Sequence, residues 1–176
     1  MSKNPLYTKI KNKSLLYEAW KVVRENGLSQ GSSKETKENV KKFEQNFIKN
    51  LNDISNNLRK NQYEFSPSKG VTIKKPGEKS LRPIVISTIG DRVVKRAILD
   101  VLQSRKEVQK YIDVKTSFGC IKIPDQKIST RDAVLSSYRH VQDGASYFIR
   151  SDIKSFFCKI PKPTVLEVLK KNTTGR

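Results

Sequence analysis

The chain has 176 residues, enough for one domain with a core of its own or for a piece of a larger one, and only 35% of them are hydrophobic. Thirty-six Lys and Arg against 17 Asp and Glu leave a net charge of +19 and a pI near 10.0, a field that favours polyphosphate partners: nucleic acid first, an anionic membrane surface second. No apolar run is long enough to span a bilayer and the N-terminus has no signal-peptide core, so the expectation is a cytoplasmic protein without a membrane partner.

Leu16, Ala19, Trp20 and Val23 share one helical face, with Asn26-Gly27 as the expected stop. A polar loop follows. Ser32 and Glu35 have capping-box spacing, and Val40, Phe43, Phe47, Leu51, Ile54 and Leu58 then alternate in steps of three and four. That pattern predicts one long scaffold helix. Tyr63 to Lys69 reads as a loop around Pro67. Val71 to Lys75 and Arg82 to Ser87 read as paired strands joined by a turn at Pro76-Gly77. The hairpin carries Lys74, Lys75, Lys79 and Arg82.

Asp91 has the side chain of a helix N-cap, and the helix beyond it presents Val94, Ala97, Ile98, Val101 and Leu102 on one face. Between Gln103 and Ile128 the signals are mixed, with a tight turn expected at Ser117-Phe-Gly119. Ser129 with Asp132 opens a further helix through Val134, Tyr138 and Val141. Tyr147-Phe-Ile-Arg-Ser-Asp152 reads as a strand ending on a carboxylate, and Pro161 and Pro163 introduce a terminal helix from Thr164 to Lys171. Helix and strand mix without regular βαβ alternation, so the fold class expected is α+β.

Cys120 and Cys158 lie far apart with no metal-ligand spacing, which points to a reducing compartment rather than to a disulfide or a zinc site. His140 has no motif around it. Asp152 differs: it stands in a lysine-rich stretch at the end of a hydrophobic run, where a carboxylate suits a divalent cation and polyanionic phosphates. The plainer reading is a solvated acid that ends a strand.

Taken in order, Leu81-Arg-Pro-Ile84, Asp91-Arg-Val-Val94, Ser117-Phe-Gly119 and Asp152-Ile-Lys-Ser-Phe-Phe157 resemble the N-terminal half of a bacterial reverse transcriptase. The kind is that of group II introns, retrons and phage defence. The resemblance spans most of the chain, from the Trp20 to Gly27 segment onward. It implies the fingers and partial palm of a right-hand polymerase, with a helical segment at 1–62, fingers at 63–145 and the start of the palm at 146–176.

By that resemblance Asp152 is the first of three catalytic carboxylates that bind two Mg²⁺ ions, with the Ile153 carbonyl completing one shell. Paired metals suit the in-line attack of a primer 3′-hydroxyl on a nucleotide α-phosphate, because they stabilise the attacking and leaving oxygens together. Lys75 and Arg82 match the fingers residues that grip the dNTP triphosphate, a point charge and a planar fork. Ser155 and Phe156 match positions whose amides face the triphosphate, and Phe157 matches the aromatic gate against a 2′-hydroxyl. Lys74, Lys79 and Arg92 are the expected nucleic-acid contacts, to an RNA template and a DNA or RNA primer.

Each assignment has a plainer rival. The hairpin charges could be solvated, one of Phe156 and Phe157 could be core, and Asp91 could serve only as a helix cap. The chain also departs from the family pattern. Lys74 stands where the family has Pro, Cys120-Ile121 stand where it has Phe-Arg, and no Tyr-x-Asp-Asp occurs before Arg176. The remaining carboxylates are therefore expected in a further segment or in a second chain completing the palm. The alternative function is a basic RNA-binding module descended from such an enzyme and without catalysis.

Overall fold

The computed structural model describes residues 5–74, 77, 81–109, 118, 129–153 and 156–173. Two compact units divide the chain, Met1–Val101 and Leu102–Arg176. In the first, four helices precede a hairpin and a fifth helix follows it: α1 (Pro5–Ile10), α2 (Lys13–Leu28), α3 (Lys34–Gln45), α4 (Phe47–Arg59), β1 (Lys69–Lys74), β2 (Leu81–Ile86) and α5 (Ile89–Gln103).

The apolar stripe of α2 does what its period demands. Leu16, Ala19, Trp20 and Val23 are buried in one cluster with Val40 of α3, Leu51, Ile54 and Leu58 of α4, and Ile89, Val93, Val94 and Ala97 of α5. The Trp20 ring lies 4.7 Å from that of Phe43, tilted by 40°. Polar groups in this core find partners. Ser55 is fully buried and donates to the Lys11 carbonyl at 2.8 Å, so its hydroxyl escapes the cost of an unmade hydrogen bond.

Three local details differ from the sequence expectation. α2 runs through Gly27 to Leu28, because Gly27 is buried where α3 crosses it and the missing side chain admits Val40. The cap of α3 is Ser33, whose hydroxyl accepts from the Thr36 amide at 3.2 Å; Glu35 instead pairs with Lys69 at 2.8 Å. The single long helix is two. Asn46 leaves the helical region (φ −130°, ψ 32°), and the Phe43 carbonyl at the break accepts from the Asn46 amide at 3.3 Å and from Asn50 Nδ2 at 3.0 Å. Asn61, at φ 56°, ends α4, with the Gln62 amide reaching back to the Asn57 carbonyl at 2.8 Å.

β1 and β2 pair antiparallel with Val71 opposite Ile84 and Lys74 opposite Leu81. β1 begins two residues before the expected Val71, and β2 begins and ends one residue before the expected Arg82 and Ser87; Lys75 lies outside the described residues. Pro83 is tolerated because a two-stranded ribbon consists only of edges. Gly77, in the turn, has φ +76°, a conformation that glycine adopts without steric cost.

The second unit contains α6 (Lys106–Gln109), α7 (Thr130–Gln142), α8 (Phe156–Lys159) and α9 (Lys162–Thr173), with α6 against α9. α7 opens as expected: the Ser129 amide and hydroxyl donate to one Asp132 oxygen at 2.8 and 2.6 Å. Its apolar residues Val134, Tyr138 and Val141 are exposed. The expected strand into Asp152 is absent: residues 145–153 carry no regular secondary structure, and Tyr147, Phe148 and Ile149 are 93%, 84% and 90% exposed. A strand exists only through a partner ladder, and the described residues of this unit supply none. The turn expected at Ser117-Phe-Gly119 lies outside the described residues except for Phe118.

Candidate nucleic-acid interface

The hairpin is a solvent-exposed arm. Only Val71, Ile84 and Ile86 are half-buried along its strands, whereas Ile73, Leu81 and Val85 face water. Lys74 and Arg82 are both exposed and sit near its far end, with Arg82 paired to Ile73 in the register. Lys75 and Lys79, predicted to act beside them, lie outside the described residues.

A buried carboxylate anchors the base of this arm. Asp91 is 2% exposed. Its Oδ1 accepts the Tyr63 hydroxyl at 2.8 Å, and its Oδ2 accepts the Ser66 amide at 3.1 Å and the Thr88 hydroxyl at 2.8 Å. The Asp91 amide in turn donates to Thr88 Oγ1 at 3.2 Å. Asp91 therefore stands inside the first turn of α5 rather than at its cap, where its charge also complements the helix dipole. Three donors converge because the chain enters the hairpin beside the place where it leaves. Tyr63 is held protonated beyond its ordinary range, by burial first and by the Asp91 carboxylate second.

The next residues continue the anchor. Arg92 Nε donates to the Ser87 carbonyl at 3.1 Å, Lys95 Nζ lies 2.7 Å from Ser87 Oγ, and Lys95 also sits over the Phe65 ring at 5.6 Å. Arg92 spends one of its five N–H donors on that carbonyl, so the guanidinium keeps donors for a phosphate or a base edge. Sequence reasoning found Asp91 and Arg92 but missed Tyr63, Ser66 and Thr88 as their partners. The only local signal was Thr88, three residues before Asp91.

An open cleft of about 620 Å³ runs between α3, α4 and the start of α5. The break at Asn46 shapes one wall of it. Nothing in the regular spacing of Val40, Phe43, Phe47 and Leu51 announced that break.

In the second unit Asp152 and Ile153 are exposed, Ile153 at 66%, and Phe156 is half exposed in the first turn of α8. Ser155 and the Phe157 side chain lie outside the described residues. A carboxylate and a backbone carbonyl are hard oxygen donors, the kind Mg²⁺ takes, and two such donors fit a partial shell completed by water and phosphate. Among the described residues no three His, Cys, Asp or Glu side chains cluster. No helix among them is long and apolar enough to cross a membrane.

No protein-family model matches the chain. It is similar to the putative COX1/OXI3 intron 1 protein of Saccharomyces cerevisiae. The two are 25% identical over 124 residues, 69% of this chain and 13% of that protein. The chain thus spans about an eighth of the length of the curated relative it matches.

Proposed function

We propose that this chain is the fingers and first palm segment of an RNA-directed DNA polymerase, which extends a primer 3′-hydroxyl with dNTPs on an RNA template. The observation that carries the reading is the anchored basic hairpin followed directly by the Asp91-Arg92 helix. It presents Lys74 and Arg82 to solvent on an arm whose base the buried Asp91 holds. The similarity to an intron protein supports the same reading and favours an intron-borne origin over a retron or a defence system.

In this proposal the hairpin grips the triphosphate, and Arg82 is suited to it because a planar guanidinium matches phosphate oxygens bidentately. Arg92 contacts the nucleic acid. Asp152 and Ile153 contribute oxygens to Mg²⁺, which when bound lowers the charge barrier to phosphoryl transfer. One carboxylate is too few for two dications, so the complete site draws on further acids, from more of the same protein or from a second chain.

The test is primer extension on an RNA template with dNTPs and Mg²⁺, using the longest form of the protein that carries this segment, beside Asp152→Asn. Extension abolished by the substitution, with RNA binding retained, is the expected result. Full activity in Asp152→Asn removes the metal assignment. Salt-sensitive RNA binding without extension in any form favours the non-catalytic RNA-binding module instead.

A further inference from the structure

We propose that the cleft between α3, α4 and the start of α5 receives one unstacked nucleotide of a single-stranded RNA. The inference rests on the nucleic-acid part of the proposed function and adds a base-reading subsite to it. The cleft has about 620 Å³ of open volume, within the range of sites that take small organic ligands.

Its construction is amphipathic in the sense a nucleotide needs. The floor is apolar, formed by half-buried Phe43 and buried Ile54 and Ile89. The rim is polar and rich in amides, with Asn39, Gln45 and Asn50 among its residues. Carboxamides pair with base edges because each offers a donor and an acceptor side by side. Asn50 gives one amide hydrogen to the Phe43 carbonyl at 3.0 Å, and its oxygen remains an acceptor. Asp53 on the same rim accepts from exocyclic amines and so favours a base over a bare phosphate.

Cations complete the match. Lys42 and Arg92 line the cleft. Among the described residues Lys42 makes no ion pair, and Arg92 has committed only its Nε. Two cations beside amides and an apolar floor fit a phosphate joined to a base. The +19 charge of the chain brings such a ligand to the surface in the first place.

The test compares two oligomers of equal length and charge by fluorescence anisotropy: labelled oligocytidylate, whose bases carry an exocyclic amine, and its abasic ribose-phosphate analogue. The unmodified chain should bind the base-bearing oligomer about tenfold more tightly, the scale of one well-held base. Asn39→Trp, an exposed position on α3 whose new ring would occupy the cleft, should erase that preference while leaving helicity and the salt slope unchanged. Lys42→Ala should weaken both oligomers alike.

Equal binding of the two oligomers by the unmodified chain overturns the subsite and leaves the phosphate-binding reading standing. A preference that survives Asn39→Trp also overturns it, by placing the base elsewhere. Failure to bind either oligomer removes the nucleic-acid reading itself, and the subsite with it.

Discussion

The Tyr63 hydroxyl donates to Asp91 Oδ1 at 2.8 Å and ties the segment leaving α4 to the first turn of α5. The two groups are 28 positions apart in sequence, and the whole hairpin lies between them. Tyr63→Phe removes one donor from a buried carboxylate that keeps two others, so it should cost about 1–2 kcal/mol in urea unfolding. Asp91→Ala strands the Tyr63 hydroxyl, the Ser66 amide and the Thr88 hydroxyl together and should cost more. Equal stability of both variants and the parent would show that the anchor does not hold the fold.

The same pair sets a pH dependence. Burial first, and the neighbouring carboxylate second, raise the Tyr63 pKa above its ordinary value of 10.0. The folded state therefore keeps a proton that the unfolded chain releases. The contribution of this group is complete below about pH 10 and declines as pH rises further. Urea midpoints of the parent should fall relative to those of Tyr63→Phe above that pH, and parallel curves would refute the linkage.

At the crossing of α2 and α3, a Cβ on Gly27 would lie 2.5 Å from Val40 Cγ2. Gly27→Ala gains helix propensity but must push the two helices apart, so it should destabilise by about 1–3 kcal/mol. Val40→Ala in the same chain should recover part of that loss. A double-mutant cycle reads the coupling directly, and an additive pair would mean the helices shift freely.

The start of α7 should respond to acid. Hydrogen bonds from the Ser129 hydroxyl and amide hold the Asp132 carboxyl below its ordinary range. A depressed folded pKa gives stability that is present above the unfolded value, about 4, and is lost as pH falls through the folded value. Amide exchange in the first turn of α7 should accelerate in acid, and in Asp132→Ala at neutral pH. Unchanged protection would mean that the cap is dispensable.

On the hairpin, Arg82→Ala should weaken nucleotide use in an active assembly, as should Lys75→Ala, with apparent nucleotide affinity as the measurement. Lys74→Ala should instead lower RNA affinity and shrink the salt slope by about 0.7, the value of one phosphate contact on a single strand. Phe157→Ala should admit ribonucleotides if that ring is the sugar gate. Unaltered sugar discrimination would remove the assignment.

Features written in local spacing were legible in the sequence. Leu16, Ala19, Trp20 and Val23 are buried together because residues three and four apart share a helix face. Ser129 and Asp132 meet across one turn for the same reason. The hairpin followed from two β-rich runs around Pro76-Gly77, although β1 begins two residues before the expected start. The Asn46 break was hidden, since the apolar seam continues across it in unbroken steps of three and four. Tyr147, Phe148 and Ile149 have strand propensity, but propensity cannot form a ladder without a partner strand.

By itself the sequence determined the basic field, the helical faces, the basic hairpin and the position of Asp152 after a hydrophobic run. All depend on composition or on neighbours a few residues apart. The tertiary structure decided that Asp91 is a buried anchor with donors from Tyr63, Ser66 and Thr88, and that α3, α4 and α5 enclose a polar-rimmed cleft. Tyr63 and Ser66 meet Asp91 from 28 and 25 residues away, and the cleft gathers residues from Thr36 to Arg92. Burial makes such meetings obligatory, because a carboxylate withdrawn from water is stable only where donors replace it.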